Sequence, residues 1–190
     1  MYTIIRFAEK DAWDAAVQSM DERDVYFSHG YCGLYRTNGD GEPLLFVYQE
    51  EGGERVVYPF LKRGITDPSL TETYYDITTP YGYGGPLLRS PDDALAARFR
   101  TVFHEYCLRE NIVSEFIRFH PLMKNERAFR DFLAVHHVRD TVFIDLTPTG
   151  EGIFDQYHHS HKRNVRKAQR SGLSFAVLEG REGGNQLDTF

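Results

Sequence analysis

The chain has 190 residues, 41% hydrophobic and 26% charged, with 22 basic against 28 acidic residues and a formal net charge of -6. That length and mixture fit one large globular domain or one and a half small ones, able to bury a core without covalent staples. No apolar run approaches the ~18 residues of a membrane span, and two cysteines as far apart as Cys32 and Cys107 make neither a disulfide framework nor a zinc spacing. The first residues, MYTIIRFAEKDAWD, hold no apolar signal core, so the expected compartment is the cytoplasm.

In chain order, Lys10 to Met20 reads as a short helix carrying Trp13 and Val17, and Asp24 to Arg36 as an aromatic, partly helical stretch. Glu42 to Gln49 and Arg55 to Lys62 read as two strands joined by the hairpin loop Glu50-Glu51-Gly52-Gly53. Pro59 inside the second run predicts an edge or a bulge. Tyr74 to Thr78 reads as another strand and runs into TPYGYGGPLL. Ser90-Pro91-Asp92-Asp93 predicts a helix start with Ser as the cap and Pro in the first turn. Leu95, Phe99, Val102, Phe103, Tyr106 and Cys107 form the apolar face behind it. Glu115 to Phe119 predicts a strand ending at His120-Pro121, Asn125 to Leu133 a short helix, Thr141 to Leu146 a strand, and Leu173 to Leu178 a last one. This order predicts a mixed α/β or α+β plan.

The segment Gln156 to Leu178 contains no acid, yet Lys162, Arg163, Arg166, Lys167 and Arg170 crowd into it. Of the 22 basic residues these five leave 17 to face all 28 acidic ones. Such segregated charge points to an anionic ligand. At about 100° per residue, Ile153, Phe154, Tyr157, His161, Val165 and Ala168 fall on one stripe, and the five cations with His159 fall opposite. The pattern predicts one amphipathic helix with a cationic ridge, ended by Gly172 and with its last-turn cations suited to the helix dipole. A plain solvated surface helix has the same pattern, although five cations with no acid at i,i+4 are unusual for one.

In TPYGYGGPLL the glycines allow a sharp turn or a close backbone approach. Tyr81 and Tyr83, with Gly84 and Gly85, are candidate cleft residues; a turn with its rings packed on the core is the competing reading. It is neither a dinucleotide fingerprint, since Leu87 stands at the third glycine position, nor a Walker loop. No G-x-S-x-G elbow and no H-E-x-x-H occurs. His158, His159 and His161 do not converge well enough for a metal site. His120 and Asp145 are conceivable acid–base groups, with a structural role the stronger reading. Gln169-Arg170-Ser171-Gly172-Leu173-Ser174 nearly matches the Q/R-x-x-G-x-G/A loop that holds the pyrophosphate of CoA. That loop should open a helix, and here it closes one.

The run His161-Lys162-Arg163-Asn164-Val165-Arg166-Lys167-Ala168, closing at Gly172, resembles the H-x-R-N-x-R-K-A…G helix of FemAB-like proteins. TPYGYGGPLL resembles their Gly-Pro strand-to-helix turn, and Val142 to Leu146 with Phe154 sits where they place the preceding strand and helix. The family includes the peptidoglycan-bridge aminoacyltransferases and BioF2-like acyltransferases. The resemblance implies a GNAT-like mixed sheet flanked by helices, the first half of a tandem-GNAT protein. Residues 1–146 would be the first GNAT-like domain, and 147–190 would start a second, incomplete one. The missing C-terminal half of the same protein would complete it, and this chain alone would be inactive. The implied reaction transfers an acyl or aminoacyl group to an amine. The donor is acyl-CoA or aminoacyl-tRNA, without a covalently bound cofactor or a metal. Either donor, or a phosphate-bearing precursor, would meet Arg163, Arg166, Lys167 and Arg170. The residues name no catalytic base. Two other readings remain: a binding module for an anionic ligand such as RNA or a nucleotide-sugar, and a scaffold or dimerisation domain.

Overall fold

The computed structural model describes residues 1–89 and 92–175. The chain divides into two units, Met1–Val138 and Arg139–Phe190.

The first unit is built on one mixed sheet. Its strands β1 (Tyr2–Arg6), β2 (Glu42–Gln49), β3 (Arg55–Gly64) and β4 (Tyr75–Thr78) pair antiparallel in that order. The two-residue β5 (Leu87–Leu88) pairs with β3, and β6 (Ile112–Phe116) pairs parallel with β4. The side-chain alternation of strands sorts the core into two layers. Phe46, Tyr58 and Phe60 face α3 (Asp93–Arg109), meeting Leu95, Phe99, Phe103 and Tyr106. Leu45, Val47 and Val57 face the other way, with Trp13 and Val17 of α1 (Lys10–Gln18), Phe27, and Cys32 of α2 (His29–Thr37). Trp13 is fully buried and its indole N–H donates to the Phe27 carbonyl at 3.1 Å.

Several elements depart from the sequence expectations. β1 is an additional strand, held by register pairs such as Ile4 with Phe46. β3 is internal, so Pro59 lies neither on an edge strand nor at a bulge. Arg55, pointing the same way four residues earlier, gives its carbonyl to the Arg89 N–H at 3.0 Å. Pro59 therefore faces the interval between the β5 pairing at Val57 and the β4 pairing at Leu61. No ladder donor is needed there. The cap of α3 is Asp92, whose carboxylate accepts the Ala94 N–H at 2.9 Å; Ser90 and Pro91 lie outside the described residues. β6 begins earlier and ends sooner than Glu115 to Phe119. Within Asn125 to Leu133 only a 3-10 turn forms, Arg127–Phe129.

In the second unit, Thr141 to Leu146 forms no strand. Val142 is 93% exposed and Leu146 73%, since no strand among the described residues offers this run a partner edge. The single predicted helix is two: α4 (Gly150–Asp155) and α5 (His159–Arg170). His158 between them is extended, with φ -57 and ψ 147, which ends the common helical wheel. Leu173 to Phe175 form no strand, and the rest of that expected strand lies outside the described residues.

The carboxylate of Glu50 ties the hairpin to α3. Arg98 donates Nε and Nη2 to it at 2.6 and 3.0 Å, and the Tyr48 hydroxyl donates at 2.7 Å. The Arg98 guanidinium first, then the Tyr48 hydroxyl, hold this carboxyl below its ordinary range. A depressed carboxyl stabilises the fold above its unfolded pKa, and that contribution disappears as pH falls through the folded value. The urea midpoint is therefore expected to drop on acidification below about pH 4.3. In Arg98→Gln the acid-induced drop should be smaller.

Candidate functional site

Two sets of predicted residues lie in different units. Tyr81, Tyr83, Gly84 and Gly85 belong to the first, and Arg163, Arg166, Lys167 and Arg170 to the second.

In the first unit the parallel ladder of β4 and β6 runs to Thr78 opposite Phe116. The Thr79 N–H still donates to the Phe116 carbonyl at 3.2 Å, and then residues 80–83 leave the sheet. The Thr79 hydroxyl accepts the Arg118 N–H at 3.1 Å, and the Gly84 N–H reaches the Arg118 carbonyl at 2.7 Å. The chain thus bulges out and rejoins the same neighbour. Asn125 closes the loop: its amide donates to the carbonyls of Gly84 and Pro86 at 2.9 and 3.1 Å, while its oxygen accepts the His120 N–H at 2.9 Å. The Tyr31 hydroxyl donates to the Tyr81 carbonyl at 2.9 Å.

The glycines answer to packing. Gly85 has φ +93, and a Cβ there would lie 2.9 Å from the Phe119 ring and 3.0 Å from the Asn125 amide. Gly82 has φ +96, and its Cβ would come within 2.5 Å of the Tyr26 ring. Gly84 and Gly85 are buried and present no surface to a ligand, whereas Tyr81 is 63% exposed. Tyr83 packs edge-on to Tyr26 and His120. Gly82→Ala is expected to lose about 1–3 kcal/mol from backbone strain, and more if Tyr26 cannot move. Chemical denaturation of the two proteins measures it.

His120 is buried at the end of this turn. Its Nδ1 accepts the Met123 N–H at 3.3 Å, so Nε2 carries the proton and donates to Asp24, also at 3.3 Å. Asp24, Tyr26 and Tyr31 were not singled out from sequence, because only the fold brings residues 24–31 against residues 81–83 and 120. The other conceivable acid–base group, Asp145, is exposed and accepts the hydroxyl and the N–H of Thr147. The Thr147 hydroxyl first, then its N–H, hold this carboxyl below its ordinary range. That suits a turn cap and makes it a weaker base.

In the second unit, α5 places His159, Arg163, Arg166 and Arg170 at i, i+4, i+7 and i+11. These positions share one face over roughly 16 Å of axis. With Gln169 they line an open trough of about 630 Å³. Lys162 is compensated by Asp155 at 3.4 Å. Among the described residues no carboxylate lies within ion-pair distance of Arg163, Arg166, Lys167 or Arg170. The helix closes as the sequence predicts: Gly172 has φ +72, its N–H meets the Gln169 carbonyl at 3.1 Å, and the Leu173 N–H meets that of Ala168 at 3.2 Å. The amides of Gly172 and Leu173 are thus taken up by the end of the helix. Of the expected apolar seam, His161 is exposed and Val165 is 36% exposed. No residue of α4 or α5 is buried.

No protein-family model matches the chain, and no curated protein does. Two solved structures align with it, a point mutant and a tetramutant of the BH1408 protein from Bacillus halodurans. They are 8% and 10% identical to it, each over 77% of this chain and 99% of theirs, with a TM-score of 0.38. A likeness at that score supports no inference about fold or activity. The described residues define a mixed α+β protein whose sheet is flanked by helices, and none of their helices is long and apolar enough to cross a membrane.

Proposed function

We propose that this chain is one half of an N-acyltransferase of the FemAB-like type, moving an acyl or aminoacyl group from a phosphate-bearing donor to an amine in the cytoplasm. The observation that carries the reading is the row of cations on α5 that no carboxylate of the described residues pairs, within the run His161 to Ala168 that resembles the family's basic helix. Aminoacyl-tRNA and acyl-CoA both bear phosphates, for which guanidinium forks are suited partners. An antiparallel meander followed by a helical crossover to a parallel strand is compatible with a GNAT-like sheet.

Amide formation of this kind needs no covalent intermediate on the protein. The acceptor amine attacks the acyl carbonyl, loses its proton, and expels the thiol of CoA or the hydroxyl of tRNA. The protein holds the reactants and stabilises the oxyanion. The cysteines agree with direct transfer, because burial pushes the thiols of Cys32 and Cys107 up to about 12. Neither is a thiolate nucleophile near neutral pH.

The test is acyl transfer by the product of the complete reading frame. Acetyl-CoA and alanyl-tRNA serve as donors and a UDP-linked peptidoglycan precursor as acceptor, read by mass spectrometry. One added acyl group on the acceptor amine is expected, and neutralising Arg163 and Arg166 should abolish it. Saturable donor binding with no transfer under either donor would replace this reading with that of a binding module for RNA or a nucleotide-sugar.

A further inference from the structure

We infer that Arg118 is the anchor of a second oxyanion site, in the first unit, at the carboxyl ends of the parallel strands β4 and β6. The inference stands independently of acyl transfer and of α5.

Its backbone is fixed on both sides, N–H to the Thr79 hydroxyl at 3.1 Å and carbonyl to the Gly84 N–H at 2.7 Å. The neighbours Ile117 and Phe119 pack on the core, so Arg118 projects from the opposite face together with Phe116. Its guanidinium carbon lies 4.7 Å from the centre of the Phe116 ring and 5.7 Å from that of Tyr81. Both rings are themselves exposed, 57% and 63%. The cation therefore lies against two exposed aromatic rings, where residues 80–83 swing away from the sheet.

Among the described residues, no carboxylate or other acceptor meets the Arg118 side-chain N–H groups. Of the other partly buried cations of this unit, Lys62 pairs with Glu110 at 2.7 Å and Arg100 with Glu115 at 2.9 Å, while Arg55 donates to the Ser19 hydroxyl and the Gln49 amide oxygen, both at 2.7 Å. Aromatic contact restrains a guanidinium without using a hydrogen-bond donor, which leaves its planar fork free for a bidentate oxyanion. Partial burial strengthens such a pair relative to water. The place agrees, since open sheets bind ligands outside the carboxyl ends of parallel strands. The shared chemistry is a carboxylate or phosphate oxyanion, and two probes separate the sources.

The experiment titrates the folded chain with inorganic pyrophosphate and, separately, with N-acetylglycine. It follows the arginine side-chain N–H resonances by heteronuclear NMR, with the Arg118 signal assigned by its loss in Arg118→Lys. A saturable shift of that signal with one probe is expected, and the probe that gives it identifies the source. Arg118→Gln should weaken binding at least tenfold. The variant Arg163→Gln with Arg166→Gln should leave the shift in place. The inference is overturned if neither probe moves the Arg118 signal, if Arg118→Gln binds as tightly as the unaltered chain, or if the α5 variant abolishes the shift. Should Arg118→Gln not fold, as judged by circular dichroism, the titration of the unaltered chain decides alone.

Discussion

Replacing Phe103 by Ala is expected to destabilise the first unit by about 3–5 kcal/mol. Phe103 is fully buried on the inner face of α3. Its ring lies 5.0 Å from Phe46, 5.3 Å from Tyr58, 5.5 Å from Phe99 and 5.9 Å from both Phe60 and Tyr106. Truncation removes the transfer free energy of the ring and opens a cavity that rings held by the sheet on one side and by α3 on the other cannot close. It also deletes edge-on and offset pairs worth about 0.5–1.5 kcal/mol each beyond their area. A domain of this kind has about 5–15 kcal/mol in all, so the variant should be marginal. Leu108→Ala, on the outer side of the same helix and 64% exposed, should stay within about 0.5 kcal/mol of the unaltered protein. Equilibrium unfolding in urea compares the three. Equal losses from the two substitutions would mean that α3 does not pack as described.

The largest functional effect is expected from reversing two charges on α5. Arg163→Glu with Arg166→Glu should weaken a phosphate-bearing ligand by at least about a hundredfold. A hydrogen bond to a charged group is worth about 1.5–3 kcal/mol, two are lost, and the new carboxylates repel the phosphates. The helix itself should survive, since Glu is about as good a helix former as Arg. The last-turn cations Lys167 and Arg170 stay in place, so the helix dipole counts little against the variant. Circular dichroism checks the fold and fluorescence anisotropy with labelled coenzyme A or tRNA checks the binding. Undiminished affinity would remove α5 from the ligand site.

Local chemistry made part of this molecule legible in its sequence. The β2–β3 hairpin follows from two apolar runs around Glu-Glu-Gly-Gly. The α3 face follows from helical spacing, and the end of α5 from Gly172. β1 was obscured because its short run YTIIR looks like a polar lead-in until Ile4 and Ile5 meet β2. The common wheel from Ile153 to Ala168 assumed a continuous helix, which the extended His158 interrupts. Thr141 to Leu146 has the composition of a strand, but composition supplies no partner edge. For the candidate sites the division is similar. The cationic row on α5 is a spacing argument within one helix, and it holds for Arg163, Arg166 and Arg170. The environment of residues 81–85 is set by Tyr26, Tyr31, His120 and Asn125, which are distant in the chain. That no acceptor among the described residues meets the Arg118 guanidinium is a property of its surroundings that no local pattern encodes.

If α5 grips a phosphorylated ligand as proposed, its affinity must depend on salt. Affinity for tRNA and for coenzyme A would be measured by anisotropy between about 50 and 200 mM salt. If four cations engage an RNA backbone, log K should fall linearly against log salt with a slope of about -3 to -4; for coenzyme A the slope should be negative but shallower. Binding of neither ligand, or an affinity indifferent to salt, would contradict the account.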